Sequence, residues 1–162
     1  MESKAIIRKI KREDNSSLAS MIRGVFDEHN APRHGTVYSD PATDNLFELF
    51  QTAGSVLWIA EIDNEIVGCC GVYPTEGLDR DCTELVKFYL QDKVHGRGTG
   101  RKLMEQCIHF AKELGYSRLY LESLPQFSRA VTMYLKLGFT NLSLPLGNSG
   151  HTTCNIWMIK EL

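Results

Sequence analysis

Apolar positions early in the chain recur with helical spacing. Leu18, Met21, Ile22, Val25 and Phe26 fall on one face of a helix over residues 16–29, and Asp14 stands where an N-cap belongs. Residues 5–10 read as a short strand before it. Pro32, Gly35 and Pro41 make residues 30–44 a loop, and a second helix over 43–53 buries Leu46, Leu49 and Phe50 before Gly54 stops it. The period then changes. Residues 56–62 and 66–73 are apolar runs separated by Asp63-Asn64-Glu65, the pattern of a hairpin. After a loop at 74–81, residues 82–90 alternate. Glu84, Val86, Phe88 and Leu90 face one way, and Leu85, Lys87 and Tyr89 the other. A glycine cluster leads into an amphipathic helix carrying Leu103, Met104, Cys107, Ile108, Ala111 and Leu114, which Gly115 ends. A strand at 118–122, a helix at 127–137 ended by Gly138, and strands at 139–144 and 153–160 close the chain. The order βααβββαβαββ predicts a mixed α/β sheet, not a doubly wound parallel one.

The chain has 162 residues, which fits one domain over 1–162. Its 18 Lys+Arg against 20 Asp+Glu leave a net charge of −2, which argues against a dedicated nucleic-acid or anionic-membrane binder. The longest apolar runs are too short to span a bilayer, and charge interrupts residues 1–8, so no leader is expected. This favours the cytoplasm. Five cysteines, an odd number set in apolar segments, read as core residues rather than a disulfide framework. His151 and Cys154 are three apart but have no second pair, so no metal site is expected.

The most informative stretch is Val94-His95-Gly96-Arg97-Gly98-Thr99-Gly100-Arg101-Lys102-Leu103, between a strand and a helix. Alternating glycines there let the backbone approach a ligand closely, and the first-turn N–H groups and helix dipole favour an anion. This is a pyrophosphate cradle, with Lys93, Arg97, Arg101 and Lys102 adding positive charge. It is not a Rossmann fingerprint, because the third glycine of G-x-G-x-x-G would fall at Arg101. It is not a Walker A loop either, because Gly100-Arg101-Lys102 lacks the G-K-[ST] ending.

Two segments together resemble the GNAT superfamily of N-acetyltransferases. His95-Gly96-Arg97-Gly98-Thr99-Gly100 is similar to its Q/R-x-x-G-x-G/A signature, and Ala130 to Phe139 is similar to its A-x-x-x-Y-x-x-x-G-F signature. His95 stands where the family has Gln or Arg. Phe127 stands where the second motif commonly opens with Asn. The resemblance implies a mostly antiparallel sheet of about seven strands flanked by about four helices. It also implies transfer of an acetyl group from acetyl-CoA to a small-molecule or peptide amine, with monomer and homodimer both left open. Phe88, Tyr89 and Leu90 would pair with the pantetheine arm, and the loop from His95 to Arg101 would hold the pyrophosphate. Tyr134 would be the general acid toward the CoA sulfur, and the backbone N–H near Leu90 the oxyanion donor.

Direct aminolysis of a thioester needs a neutral amine, a stabilised carbonyl oxygen and a protonated leaving thiolate. Glu84, six residues before Leu90, is the candidate base. Its alternative is a solvated strand-end charge, and a bulge would change its face. Arg33, in the first interhelical loop, and His151, in the loop before the last strand, are candidate acceptor contacts. A longer acyl donor is a rival within enzymology. A non-catalytic acyl-CoA-binding sensor is the rival from another class.

Overall fold

The computed structural model describes residues 4–162; Met1, Glu2 and Ser3, which open the segment read above as lacking a leader, lie outside them. Seven strands form one sheet: β1 (Ile6–Lys9), β2 (Val56–Ile62), β3 (Glu65–Tyr73), β4 (Cys82–Leu90), β5 (Arg118–Ser123), β6 (Thr140–Leu142) and β7 (Ile156–Glu161). Their spatial order is β1-β2-β3-β4-β5-β7-β6. All neighbours are antiparallel except β4 and β5. The helices are α1 (Asn15–Glu28), α2 (Leu46–Leu49), α3 (Thr99–Glu113) and α4 (Ser128–Lys136). The expected mixed, mostly antiparallel architecture is therefore present.

Each sheet face carries one core. Leu18, Ile22, Val25 and Phe26 of α1 pack with Leu46 of α2 against Ile59 and Cys69. Leu103, Met104, Cys107 and Ala111 of α3 pack with Tyr134 of α4 against Val67, Cys70 and Leu121 on the other face. The spacing read from the sequence thus puts the expected side chains of α1 and α3 inside. The β2–β3 hairpin turns at Asp63 and Asn64, both in the left-handed region at φ 50° and 67°, as a two-residue turn that follows the sheet twist requires.

Three local readings are corrected. The second helix is not one run over 43–53. A 3₁₀ turn at Pro41–Asn45 precedes the four-residue α2, because Pro41 opens it and the Asp40 carboxyl accepts from Ala42 N–H. The last helix likewise starts as a 3₁₀ turn at Pro125–Phe127. Asp14 does not cap α1. Its carboxylate instead accepts from both terminal nitrogens of Arg8, at 2.8 and 3.0 Å, and from Lys11 N–H at 2.7 Å. The same Arg8 donates to Glu61 at 3.2 Å, so this knot ties β1 and the start of α1 to β2.

Burial alone would raise the Asp14 carboxyl, but the hydrogen bonds from Arg8 and Lys11 outweigh it and hold it below the usual range. A depressed carboxylate contributes stability that is present above its unfolded value of about 4 and lost as pH falls through its folded value. Asp14→Ala is expected to cost about 1–3 kcal/mol at pH 7. The gap between wild type and variant, read from urea midpoints, should narrow as pH falls below about 4. A gap independent of pH would remove the ion pair from the account.

Candidate active site

Strands β4 and β5 pair over only three residues, Cys82 to Glu84 against Arg118 to Tyr120. Beyond Glu84 they diverge, and a cleft opens between them. It has a volume of about 600 Å³ including its open mouth, and its walls include Glu84, Lys87, Phe88, Tyr89, Glu122, Tyr134 and His151. A parallel pair needs a crossover, here α3. The glycine loop that begins α3 therefore sits at the end of β4, next to the gap.

Strand β4 is not regular. Cys69 pairs with Tyr89 and Gly71 with Val86, so Lys87 and Phe88 together oppose Cys70. This is a β-bulge, and Lys87 takes it up at φ 55°. The bulge overturns the simple alternation expected from the sequence. Leu85, Phe88 and Leu90 join the α3–α4 core, while Val86 and Tyr89 join the α1 core. Glu84 thus shares a face with Val86 and not with Phe88 or Leu90. Gln91 N–H bonds back to Val67 O at 2.9 Å on the β3 side. By strand alternation Leu90 N–H turns the other way, toward the edge that β5 has left.

Glu84 is 4% exposed, and its carboxyl lies in the cleft. Burial pushes it up to about 7; a 2.5 Å hydrogen bond from Thr75 Oγ1 works against that shift, and the nearby Glu122 carboxyl adds to it. It is not the solvated strand-end charge of the alternative reading. Tyr134 is 5% exposed, with its ring against Phe88 and Phe139 at 6.0 and 5.8 Å between centroids. Burial holds its hydroxyl well above the ordinary tyrosine value, so it keeps its proton at neutral pH. Its oxygen has no hydrogen-bond partner among the described residues and is not sealed off from the cleft.

The glycine loop between β4 and α3 takes left-handed backbone at two positions. Gly96 and Gly98 sit at φ 80° and 79°, with nothing within 4 Å of the position a Cβ would take. Thr99 and Gly100 are buried at the first turn of α3. Arg97 and Arg101 are exposed, and Arg101 Nε donates to Glu105 at 2.8 Å. His95 lies 3.5 Å from Asp92 and lines a groove with His29, Leu90, Phe127 and Arg129. In place of the polar contact an Asn would bring, Phe127 stacks edge-on against Phe26 and Tyr89, at 5.2 and 5.9 Å.

Of the two acceptor candidates, only His151 reaches the cleft. Its Nε2 lies 3.1 Å from Asp40 Oδ2, and burial followed by the charge of Lys87 lowers its basicity. Arg33 points elsewhere. It bonds Asp27 at 2.8 Å and lies over the Tyr38 ring at 4.6 Å, and it lines no part of the cleft. Sequence reasoning missed Asp40, Lys87 and Glu122. Glu122 follows from the parallel register of β4 and β5. Lys87 could have been found only from the bulge, which alternation hides.

The sequence profile of the acetyltransferase (GNAT) family matches residues 22–139. The chain belongs to the GNAT family of acetyltransferases. The uncharacterized N-acetyltransferase YjgM of Escherichia coli strain K12 is 32% identical to it over 158 residues, 97% of this chain and 95% of that one. The fold matches a GNAT-family acetyltransferase of Staphylococcus aureus Mu50 with a TM-score of 0.86 at 22% identity, over 98% of this chain and 99% of that one. It also matches YncA of Salmonella typhimurium, determined with its cofactor acetyl-CoA, with a TM-score of 0.76 at 20% identity, over 98% and 94% of the two chains. For this GNAT acetyltransferase, Thr75→Val removes the one hydrogen bond that lowers Glu84. The Glu84 side chain, followed by NMR through a pH titration, should then titrate above about 7. An unchanged or lower value would show that the Thr75 hydrogen bond does not hold the carboxyl down.

Proposed function

We propose that this GNAT acetyltransferase takes acetyl-CoA along the β4–β5 cleft and passes the acetyl group to a primary amine by direct attack. The observation that carries this is the meeting, at one cleft, of a carboxyl near neutrality and a protonated hydroxyl, Glu84 and Tyr134, with the unpaired Leu90 N–H in the groove that adjoins it past Phe88 and Tyr89. When bound, acetyl-CoA supplies an acetyl group activated as a thioester. The open space at Gly96 and Gly98 and the N–H groups opening α3 suit its pyrophosphate. The free edge of Phe88, Tyr89 and Leu90 suits its pantetheine amides, as an added strand. Glu84 takes a proton from the acceptor ammonium. Leu90 N–H donates to the carbonyl oxygen, and Tyr134 gives its proton to the departing sulfur.

A sensor would need no base near neutrality and no buried hydroxyl facing the cleft. One sheet running unbroken from β1 to β6 supports a single domain over 1–162. Among the described residues no helix is long and apolar enough to cross a membrane. Five cysteines without disulfides fit a reducing compartment such as the cytoplasm.

The test is release of the CoA thiol from acetyl-CoA against a broad panel of amines. Tyr134→Phe should leave the thermal stabilisation by acetyl-CoA in place and lower turnover by about 100- to 1000-fold. In wild type, activity should rise with pH through about 7 as Glu84 loses its proton. Glu84→Gln should lack that limb and follow only the amine's own deprotonation. Overlaid pH profiles would take the base role from Glu84, and unchanged turnover in Tyr134→Phe would send the proton to water.

A further inference from the structure

The transfer chemistry leaves one buried group at the cleft without a task. Lys87 is 8% exposed and is held at φ 55° in the bulge, a conformation that costs a non-glycine residue about 1 kcal/mol or more. Its Nζ makes no hydrogen bond and no ion pair with any described residue; burial lowers its basicity, and the Asp40 and Glu84 carboxyls work against that by favouring its charge. The neighbouring carboxyls are mostly occupied. Asp40 accepts from Ala42 N–H on one oxygen and meets His151 on the other. Glu122 accepts from Ser149 on one oxygen and from Tyr120 at 2.7 Å on the other. Glu84 uses only Oε1, for Thr75.

Two groups are thus left over, Glu84 Oε2 and Lys87 Nζ, and they make no ion pair with each other. Neither is sealed off. The side-chain polar atoms that are both unpartnered and sealed, among the described residues, are Trp58 Nε1 and Gln91 Oε1. Glu84 and Lys87 also border the cleft's second arm, which runs toward Leu49, Phe50 and Tyr73. One acidic and one basic open position in one cavity call for a ligand with both charges.

We infer that the acceptor is a free amino acid, its amine placed at Glu84 and its carboxylate on Lys87. This rests on the acetyl-transfer reading above. A simple amine or polyamine would leave the Lys87 ammonium buried beside a second cation, which is costly. A peptide N-terminus has an amide where the free amino acid has its carboxylate. The wall of Leu49, Phe50 and Tyr73 favours an apolar or aromatic side chain. The step balances. Glu84 takes one proton from the acceptor ammonium, the freed amine nitrogen bonds to the acetyl carbon, the carbon–sulfur bond breaks as the Tyr134 proton goes to sulfur, and the second nitrogen proton returns to the Tyr134 oxygen. The product is an N-acetyl amino acid with its carboxylate unchanged.

The experiment compares matched acceptors on the intact protein: phenylalanine and leucine, their methyl esters, and the decarboxylated amines phenethylamine and isopentylamine. Wild type should favour each free amino acid over its ester and its decarboxylated amine by about 10- to 100-fold in kcat/KM, as for a lost charge-assisted contact. In Lys87→Met the ratio should collapse toward one. Equal or better use of the carboxylate-free amines, polyamines or peptides by wild type overturns the inference and leaves acetyl transfer to amines standing. So does a ratio that Lys87→Met does not change. If no amine of any kind releases CoA thiol, the transfer reading itself falls and takes this one with it. The wild-type comparison decides even if the variant does not fold.

Discussion

The structure turns on where two neighbouring strands stop pairing. β4 and β5 hold together through Glu84 and Tyr120 and then separate. A sheet gap exposes backbone donors and acceptors that must find partners, so it persists only where something else satisfies or fills it. Here the gap is lined from both sides. Phe88, Tyr134 and Phe139 stack along one wall, and Phe26, Tyr89 and Phe127 along the other. The aromatic packing holds the strands apart while leaving the edge of β4 free.

The bulge at Lys87 acts at the same place. It adds one residue opposite Cys70 and so exchanges the faces of everything after it. Upstream, Glu84 faces the α1–α2 side, where burial can raise its carboxyl. Downstream, Phe88 and Leu90 face the α3–α4 side, where they border the glycine loop; a Cβ on Gly100 would lie 3.1 Å from the Phe88 ring. One irregular residue lets a single strand turn Glu84 into the main cleft and Leu90 into the groove that adjoins it. The loop before β7 completes the main cleft by bringing Ser149 to Glu122 and His151 to Asp40.

Much of this was legible in the sequence. The periods of α1 and α3, the Asp63-Asn64 turn and the glycine loop are local features with local causes, and they appear where the chain put them. Tyr134 and Glu84 were reachable from motif and spacing. The face of Glu84 relative to Leu90 was not, because a bulge leaves no mark in the pattern of polar and apolar residues. Asp14 had the right chemistry for a cap but met a stronger partner in Arg8, six residues away. Asp40 and His151 are 111 residues apart, and Lys87 and Glu122 meet them only through the strand order. Arg33 lies away from the cleft, bonded to Asp27 and packed over Tyr38, contacts that its place in a loop did not reveal.

The central claim is that the free edge of β4 and the loop at its end form the binding surface for the acyl donor. Amide hydrogen exchange with and without CoA reads this directly. The account predicts slowed exchange at the Leu90 amide and at the amides from Gly96 to Arg101, with the paired interior of β2 unchanged. Protection confined to other parts of the chain, or none at saturating CoA, would contradict it.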